Sequence, residues 1–217
     1  MLRGYHSFTD LPGIMPIFPL TGVLLLPRAA LPLNVFEPRY LELVDDALKS
    51  NRLIGIIQPT ESEETVLRPK LSQVGCAGRV ISWRETDDNR YLITLAGLCR
   101  FRVKEEVSAL SAYRQVACDF APFAGDLAQG DEDGDFPRER LLSALKDYLS
   151  RRDMKADWKS VMTAPAESLV NALAMMCPFE PAEKQALLEA PSWEERVSTL
   201  VALLEISTMG QGSGTLN

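Results

Sequence analysis

His6 is the only histidine in the chain, and the four cysteines, Cys76, Cys99, Cys118 and Cys177, stand far apart. A hydroxyl or thiol nucleophile paired with imidazole would have to draw on His6. That residue lies in the opening stretch MLRGYHSFTDLPG, which reads as a partly ordered arm without the apolar core of a signal peptide. The simpler reading of His6 is a solvated side chain. Zinc needs several nitrogen or thiolate ligands at workable spacing, and no CxxC pair is present. Asp131, Asp133 and Asp135 alternate as in a calcium loop, but Gly134 comes early and Leu142 stands where the bidentate glutamate should fall. They read as solvated linker. The residue set therefore predicts no catalytic group, no metal, no cofactor and no enzymatic activity.

Binding chemistry is better represented. Phe36, Glu37, Arg39 and Tyr40 sit where an apolar run turns into a helical pattern, and Trp83 lies between Ser82 and Arg84 near a turn. As a group they could wall a peptide groove, with tryptophan as an apolar anchor. The competing reading is a junction that fixes the helix, with Trp83 in the core. Arg100, Arg102 and Lys104 alternate along one strand and could contact RNA, but Glu105 and Glu106 follow at once. A solvated face explains them as well. Arg151, Arg152, Lys155 and Lys159 cluster near a helix end, where cations offset the helix dipole.

The elements that must position these residues follow from periodicity and punctuation. Residues 14–40, IMPIFPLTGVLLLPRAALPLNVFEPRY, are strongly apolar, yet Pro16, Pro19, Pro27, Pro32 and Pro38 cut them into pieces of strand length. No helix can span a membrane through this stretch. Strands are expected over 14–20, 23–26 and 31–36. A helix is expected over 39–49, with Tyr40, Leu43, Val44 and Leu48 inward. Further strands are expected over 53–58, 74–85, 91–96, 99–107 and 113–120. Residues 59–70 read as a surface loop and 86–89 as a hairpin turn. Residues 124–135, AGDLAQGDEDGD, read as an acidic linker.

Beyond the linker the period changes to helical. Leu141, Leu142, Leu145, Tyr148 and Leu149 share a face, as do Leu169, Val170, Leu173 and Met176. Trp193, Val197, Leu200, Val201 and Leu204 share a third, opened by Ser192 and Glu195 as a capping box. The tail from Gly210 reads as disordered. Strands followed by segregated helices give an α+β class. The expected division is an arm to 13, a β-rich unit over 14–122, a linker over 123–136, a helical subdomain over 137–207 and a tail.

Composition sets bounds on partners. The 217 residues are 46% hydrophobic and 24% charged, an ordinary globular balance. The net charge of −7 and pI of about 4.9 disfavour both nucleic acid and anionic membranes. The expected compartment is the cytoplasm.

Read together, the motifs resemble the N-terminal, substrate-binding domain of Lon-type ATP-dependent proteases. The carriers are MPIFPLTGVLLLPRAALPLNVFEPRY, then LSQVGCAGRVISW, then YLITLAGLCRFRV, and finally FEPAEKQALLEAPSWEERVSTLVALLE, in the family's order over residues 14–206. The resemblance implies a PUA-like β-barrel followed by a helical bundle, and capture of unfolded or damaged protein segments. No GxxxxGKS/T phosphate loop is present, and the chain stops soon after Leu204-Glu205. The resemblance therefore implies the stand-alone form of the domain, without ATPase or protease modules. Two alternatives remain open at this point: a PUA-like RNA binder, and an adaptor for a full-length ATP-dependent protease.

Overall fold

The computed structural model describes residues 5, 7–60, 68–128 and 136–209. His6, Asp131, Asp133, Asp135 and the tail from Gly210 lie outside them. The chain divides into two compact units, Met1–Gln129 and Gly130–Asn217.

The first unit is built on six strands, β1 (Ile14–Pro19), β2 (Ala30–Val35), β3 (Leu53–Pro59), β4 (Leu71–Glu85), β5 (Tyr91–Val107) and β6 (Gln115–Asp119), with helix α1 (Pro38–Lys49) between β2 and β3. The strands lie in the order β2-β5-β4-β3-β1-β6, and β5 also pairs with β6. That extra pairing returns the sheet on itself. β1, β3, β4, β5 and β6 form a ring, and β2 lies outside it along the first part of β5. Only β1 and β3 run parallel, so the chain between them needs a crossover, which includes α1. This is the barrel-plus-helices, α+β architecture that the pattern predicts.

The expected strand over 23–26 does not form. Leu24, Leu25 and Leu26 are buried, but the chain there crosses the sheet instead of joining it. Gly22 turns the backbone with φ of +71°. Gly97 then accepts from the Arg28 N–H at 2.9 Å and donates to Ala29 at 2.8 Å. A Cβ at Gly97 would lie 2.0 Å from the Leu26 carbonyl oxygen, so only glycine admits this crossing. A similar constraint shapes the core. Phe101 faces Gly75 across the β4–β5 pair, and a Cβ there would lie 2.6 Å from its ring. Around Phe101 pack Met15, Ile17, Leu53, Ile57, Leu98, Val116 and Phe120. The opening arm joins in, since Leu11 is buried in the same cluster and Tyr5 packs against it.

Two readings of charge are corrected here. Arg100 is not part of a solvated stripe. It is buried, and its Nε and Nη2 each donate to the Asp126 carboxylate at 2.8 Å, while its backbone N–H adds a third bond at 2.9 Å. Its guanidinium also lies 4.6 Å from the centre of the Phe123 ring. Consequently residues 123–127 do not begin a linker. They belong to a 3-10 segment, Ala121–Leu127, clamped onto the sheet.

The second unit contains α2 (Arg138–Arg151), α3 (Trp158–Thr163), α4 (Ala166–Met176), α5 (Pro181–Glu189) and α6 (Trp193–Met209). The inward faces agree with the periodicity for α2 and α6. In α4, Met176 is exposed and Asn171 and Ala174 are buried instead. α3 has no counterpart in the apolar pattern, because none of its residues is buried. From Phe136 to Met209 there is no glycine, so the left-handed glycine cap is not used. Ala164, Cys177 and Ala190 end α3, α4 and α5 in extended conformations, each followed by a proline that enforces them. Cations from neighbouring helices take the freed carbonyls instead. Arg138 donates to Met162 (3.3 Å) and Ala164 (2.6 Å), Lys184 to Met175 (3.2 Å) and Arg196 to Leu187 (3.1 Å).

The Arg100–Asp126 pair supports a direct test. Asp126→Ala leaves a buried guanidinium uncompensated and should lower stability by roughly 3–5 kcal/mol. An Arg100→Met, Asp126→Leu double variant should recover most of that loss. Urea unfolding of the three proteins measures both; a loss under about 0.5 kcal/mol for Asp126→Ala would show that the pair is not a clamp.

Candidate functional site

β4 is longer than its neighbour β3. Their last pair is Leu53 with Arg79, and Arg52 takes the Val80 N–H at 2.9 Å. From Ile81 to Glu85 the strand pairs with β5 alone, and β5 pairs there with β2. The result is a three-stranded overhang beyond the ring. Among the described residues nothing pairs with the outer edge of β4 over 81–85 or with the outer edge of β2. Pro32 interrupts the β2 edge, where it has no N–H to offer a new strand. The β4 edge has no such guard.

Large apolar side chains gather on this overhang. Phe36 is 60% exposed, Ile81 52% and Trp83 50%, and Leu92 is exposed beside them. Ile81 is the extra residue of a register shift between Val80 and Ser82. Trp83 stands opposite Ile93 and meets Tyr91 edge to face with ring centres 6.2 Å apart. The Tyr91 hydroxyl donates to Asp45 of α1 at 2.7 Å, which fixes that ring. Burial and this carboxylate partner push the Tyr91 hydroxyl up to about 12, with the Asp45 hydrogen bond as the main cause. The guanidinium of Arg90 lies 5.6 Å from the centre of the Phe36 ring. Pro32, Asn34, Ser82, Arg84, Leu92 and Thr94 help line a shallow depression of about 560 Å³ on the sheet, with Trp83 at its border.

The five residues singled out from the sequence therefore separate. Phe36 and Trp83 belong to the overhang. Tyr40 does not reach solvent: it is 3% exposed, and its ring packs on Phe18 with centres 3.9 Å apart. It anchors α1 to β1 and cannot touch a peptide, a correction to the expected groove wall. Glu37 and Arg39 pair with each other at 2.9 Å, and the Arg39 guanidinium covers Tyr40 at 4.5 Å. They close the strand-to-helix junction. Arg39 also borders a different depression of about 350 Å³, with Tyr113 and Arg114. Ile81 and Leu92 were not singled out, because the length by which β4 exceeds β3 has no local signature.

A further depression of about 760 Å³ lies between the start of β4 and the end of β5. Glu106 is its central charge. It takes two bonds from Arg114, at 2.7 and 3.0 Å, and one from Arg68 at 2.6 Å. The Arg114 hydrogen bond, helped by Arg68, holds the Glu106 carboxyl below its usual range. Of the basic stripe only Arg102 and Lys104 stay exposed, with Glu105 beside them.

Burial pushes the Cys99 and Cys118 thiols up to about 12 and Cys177 to about 11, so thiolate is scarce at neutral pH. Among the described residues no three His, Cys, Asp or Glu side chains cluster as a metal site. No helix among them is long and apolar enough to cross a membrane.

The model of the ATP-dependent protease La (LON) substrate-binding domain matches residues 14–205. Lon protease 2 of Myxococcus xanthus is 25% identical over 215 residues, which are 93% of this chain but 24% of that protein. Lon protease 2 of Sorangium cellulosum is 37% identical over 112 residues, 50% of this chain and 14% of that protein. The chain thus spans a quarter or less of these relatives. Among solved structures, a Lon N-terminal domain protein from Xanthomonas campestris superposes with a TM-score of 0.60 at 24% identity, covering 87% of this chain and 97% of that one. The N-terminal domain of the Mycobacterium avium complex Lon protease gives 0.58 at 16%, covering 91% and 99%. At these identities the two structures speak for the fold alone.

The Glu106 network predicts a pH-dependent contribution. Its folded carboxyl titrates below the unfolded value of about 4.3, so its stabilisation is full above that value and fades as pH falls through the folded one. Glu106→Gln should therefore lower the urea midpoint at neutral pH, with the gap closing in acid. A gap unchanged by acid would assign the effect to packing instead.

Proposed function

The chain belongs to the ATP-dependent protease La (LON) substrate-binding domain family, and from that premise we propose that its sheet unit binds exposed apolar segments of unfolded proteins along the open edge of β4. The observation that carries this reading is the coincidence of Ile81 and Trp83 with an unpaired strand edge. An extended chain can add to such an edge through main-chain hydrogen bonds, which do not depend on its sequence. Alternate side chains of that segment would then lie beside Trp83 on one face, and the intervening ones on the face that carries Leu92. Binding of this kind is weak and tolerant, because a small apolar contact at ~25 cal/mol per Å² barely exceeds the entropy of ordering a chain. The module does no chemistry in this reading. It holds a segment that a folded protein would have hidden.

Titration with a permanently unfolded reporter protein tests the proposal. The full chain should bind with a Kd on the order of tens of micromolar. Ile81→Ser with Trp83→Ala should weaken binding roughly tenfold, as expected for loss of an aromatic anchor. Since both side chains are exposed, the far-UV spectrum should not change. Phe36→Ala, at the far side of the overhang, should cost less. Equal binding by the parent and the Ile81→Ser, Trp83→Ala variant would remove the β4 edge as the site.

A further inference from the structure

α3 (Trp158–Thr163) is a helix with only one half-buried apolar residue, Val161. Its six residues are too few to nucleate in water unaided, and none of them is buried. Polar devices supply most of its support. Asp157 accepts from the N–H groups of Lys159 (3.1 Å) and Ser160 (3.4 Å) and from the Ser160 hydroxyl (2.6 Å). The Thr163 hydroxyl donates to the Lys159 carbonyl at 2.9 Å, and Arg138 secures the far end through Met162 and Ala164. The same hydrogen bonds that shape this turn leave two of its apolar side chains in water. Trp158 and Met162, four residues apart and so on one face, are 37% and 64% exposed, and Met154 just before them is 40% exposed. Lys155 and Lys159 are exposed among them, with no ion-pair partner among the described residues.

We propose that Met154, Trp158 and Met162, together with Lys155 and Lys159, form a second docking surface, which takes an acidic amphipathic segment of a partner protein. Such a segment alternates carboxylates with aliphatic or aromatic side chains. Tryptophan supplies a rigid anchor and the thioethers adapt to varied shapes, while the two ammonium groups select the sign of the partner. A second copy of the chain fits poorly, since a two-fold contact through this face would bring the lysines of both copies together. An anionic membrane also fits poorly. A flat surface meets the field of the whole chain, which carries a net −7. A short segment meets only what lies within a Debye length of about 8–10 Å, and over residues 151–160 the exposed cations Arg151, Arg152, Lys155 and Lys159 outnumber the exposed anions Asp153 and Asp157. This surface lies in the helical unit and does not depend on the β4 edge.

Fluorescence anisotropy with a labelled peptide alternating glutamate with leucine and phenylalanine tests the assignment. The full chain carries Ile81→Ser and Trp83→Ala throughout, so that the β4 edge is silent. The peptide should bind with a Kd on the order of tens of micromolar, and roughly tenfold tighter than its lysine counterpart. It should also bind tighter than an all-glutamate peptide, and affinity should fall with added salt. Trp158→Ala with Met162→Ala should weaken binding about tenfold. Lys155→Glu with Lys159→Glu should do the same. Both pairs change side chains only, and the bonds to Asp157 and Arg138 run through the Lys159 and Met162 backbones, so the fold is kept. Equal affinity for the three peptides would overturn the proposal, as would parental binding by both double variants. Binding to phosphatidylglycerol-rich vesicles in place of the peptide would also overturn it.

Discussion

One strand has to serve three neighbours. β5 pairs with β2 and β4 over its first residues, with β4 through its middle, and with β4 and then β6 toward its end. A strand can have only two partners at a time, so closure depends on β5 handing one edge from β2 to β6 along its length. Gly97 sits where that exchange occurs, and the absent side chain lets the Leu26 carbonyl cross directly over the strand. A register shift between Val103 and Glu105 then bends β5 toward β6. Phe101 fills the interior between these two irregularities, above the space that Gly75 leaves free. The candidate edge is a consequence of the same geometry. Because β4 follows β5 beyond the ring, its last five residues have no second partner among the described residues. The apolar surface there is what remains uncovered when a long strand overruns a small barrel.

The helical unit solves a different problem. Each helix from α3 to α5 ends just before a proline, which forces an extended residue and leaves carbonyls without partners. Arg138, Lys184 and Arg196 answer this from adjacent helices. Burial holds the Lys184 ammonium below its usual pKa, yet the residue gains a carbonyl and keeps the α4–α5 corner closed. Long cationic side chains suit this role, since their stems add apolar contact while their heads replace water at the helix end. One effect is that helix position is fixed by end contacts as well as by apolar faces. That permits α3, which has no buried residue and would otherwise have no reason to hold its shape.

Much of this was legible in the sequence because the periodicities are clean. The prolines of residues 14–40, the alternation of Tyr91, Ile93 and Leu95 and the helical spacing of Leu141, Leu145 and Tyr148 each point to the element observed. Three features were not legible, for separate reasons. The inward turn of Arg100 depends on Asp126, 26 residues away and within a stretch whose acidic composition reads as linker. The 23–26 segment has the residues of a strand but no free edge to join. Tyr40 was legible as an inward residue of its helix, but not its partner, because Phe18 lies 22 residues away on β1. Of the candidate site, Phe36 and Trp83 were legible as isolated aromatics. Their setting was not, since it depends on how far β4 outruns β3.

The two exposed surfaces differ in a way that bears on what each can hold. On the overhang, the backbone edge of β4 offers hydrogen bonds that any extended chain can accept, so side chains there only adjust affinity. On α3 the backbone is already satisfied by Asp157, Thr163 and Arg138. Recognition at that surface, as proposed, comes mainly from the shape and charge of side chains. An edge without side-chain selection suits many ligands at low affinity, whereas a satisfied helix flanked by two lysines discriminates by sign. As proposed, the division is between a surface that reads extended conformation and one that reads composition. It arises because the sheet unit leaves backbone groups open where the helical unit closes them.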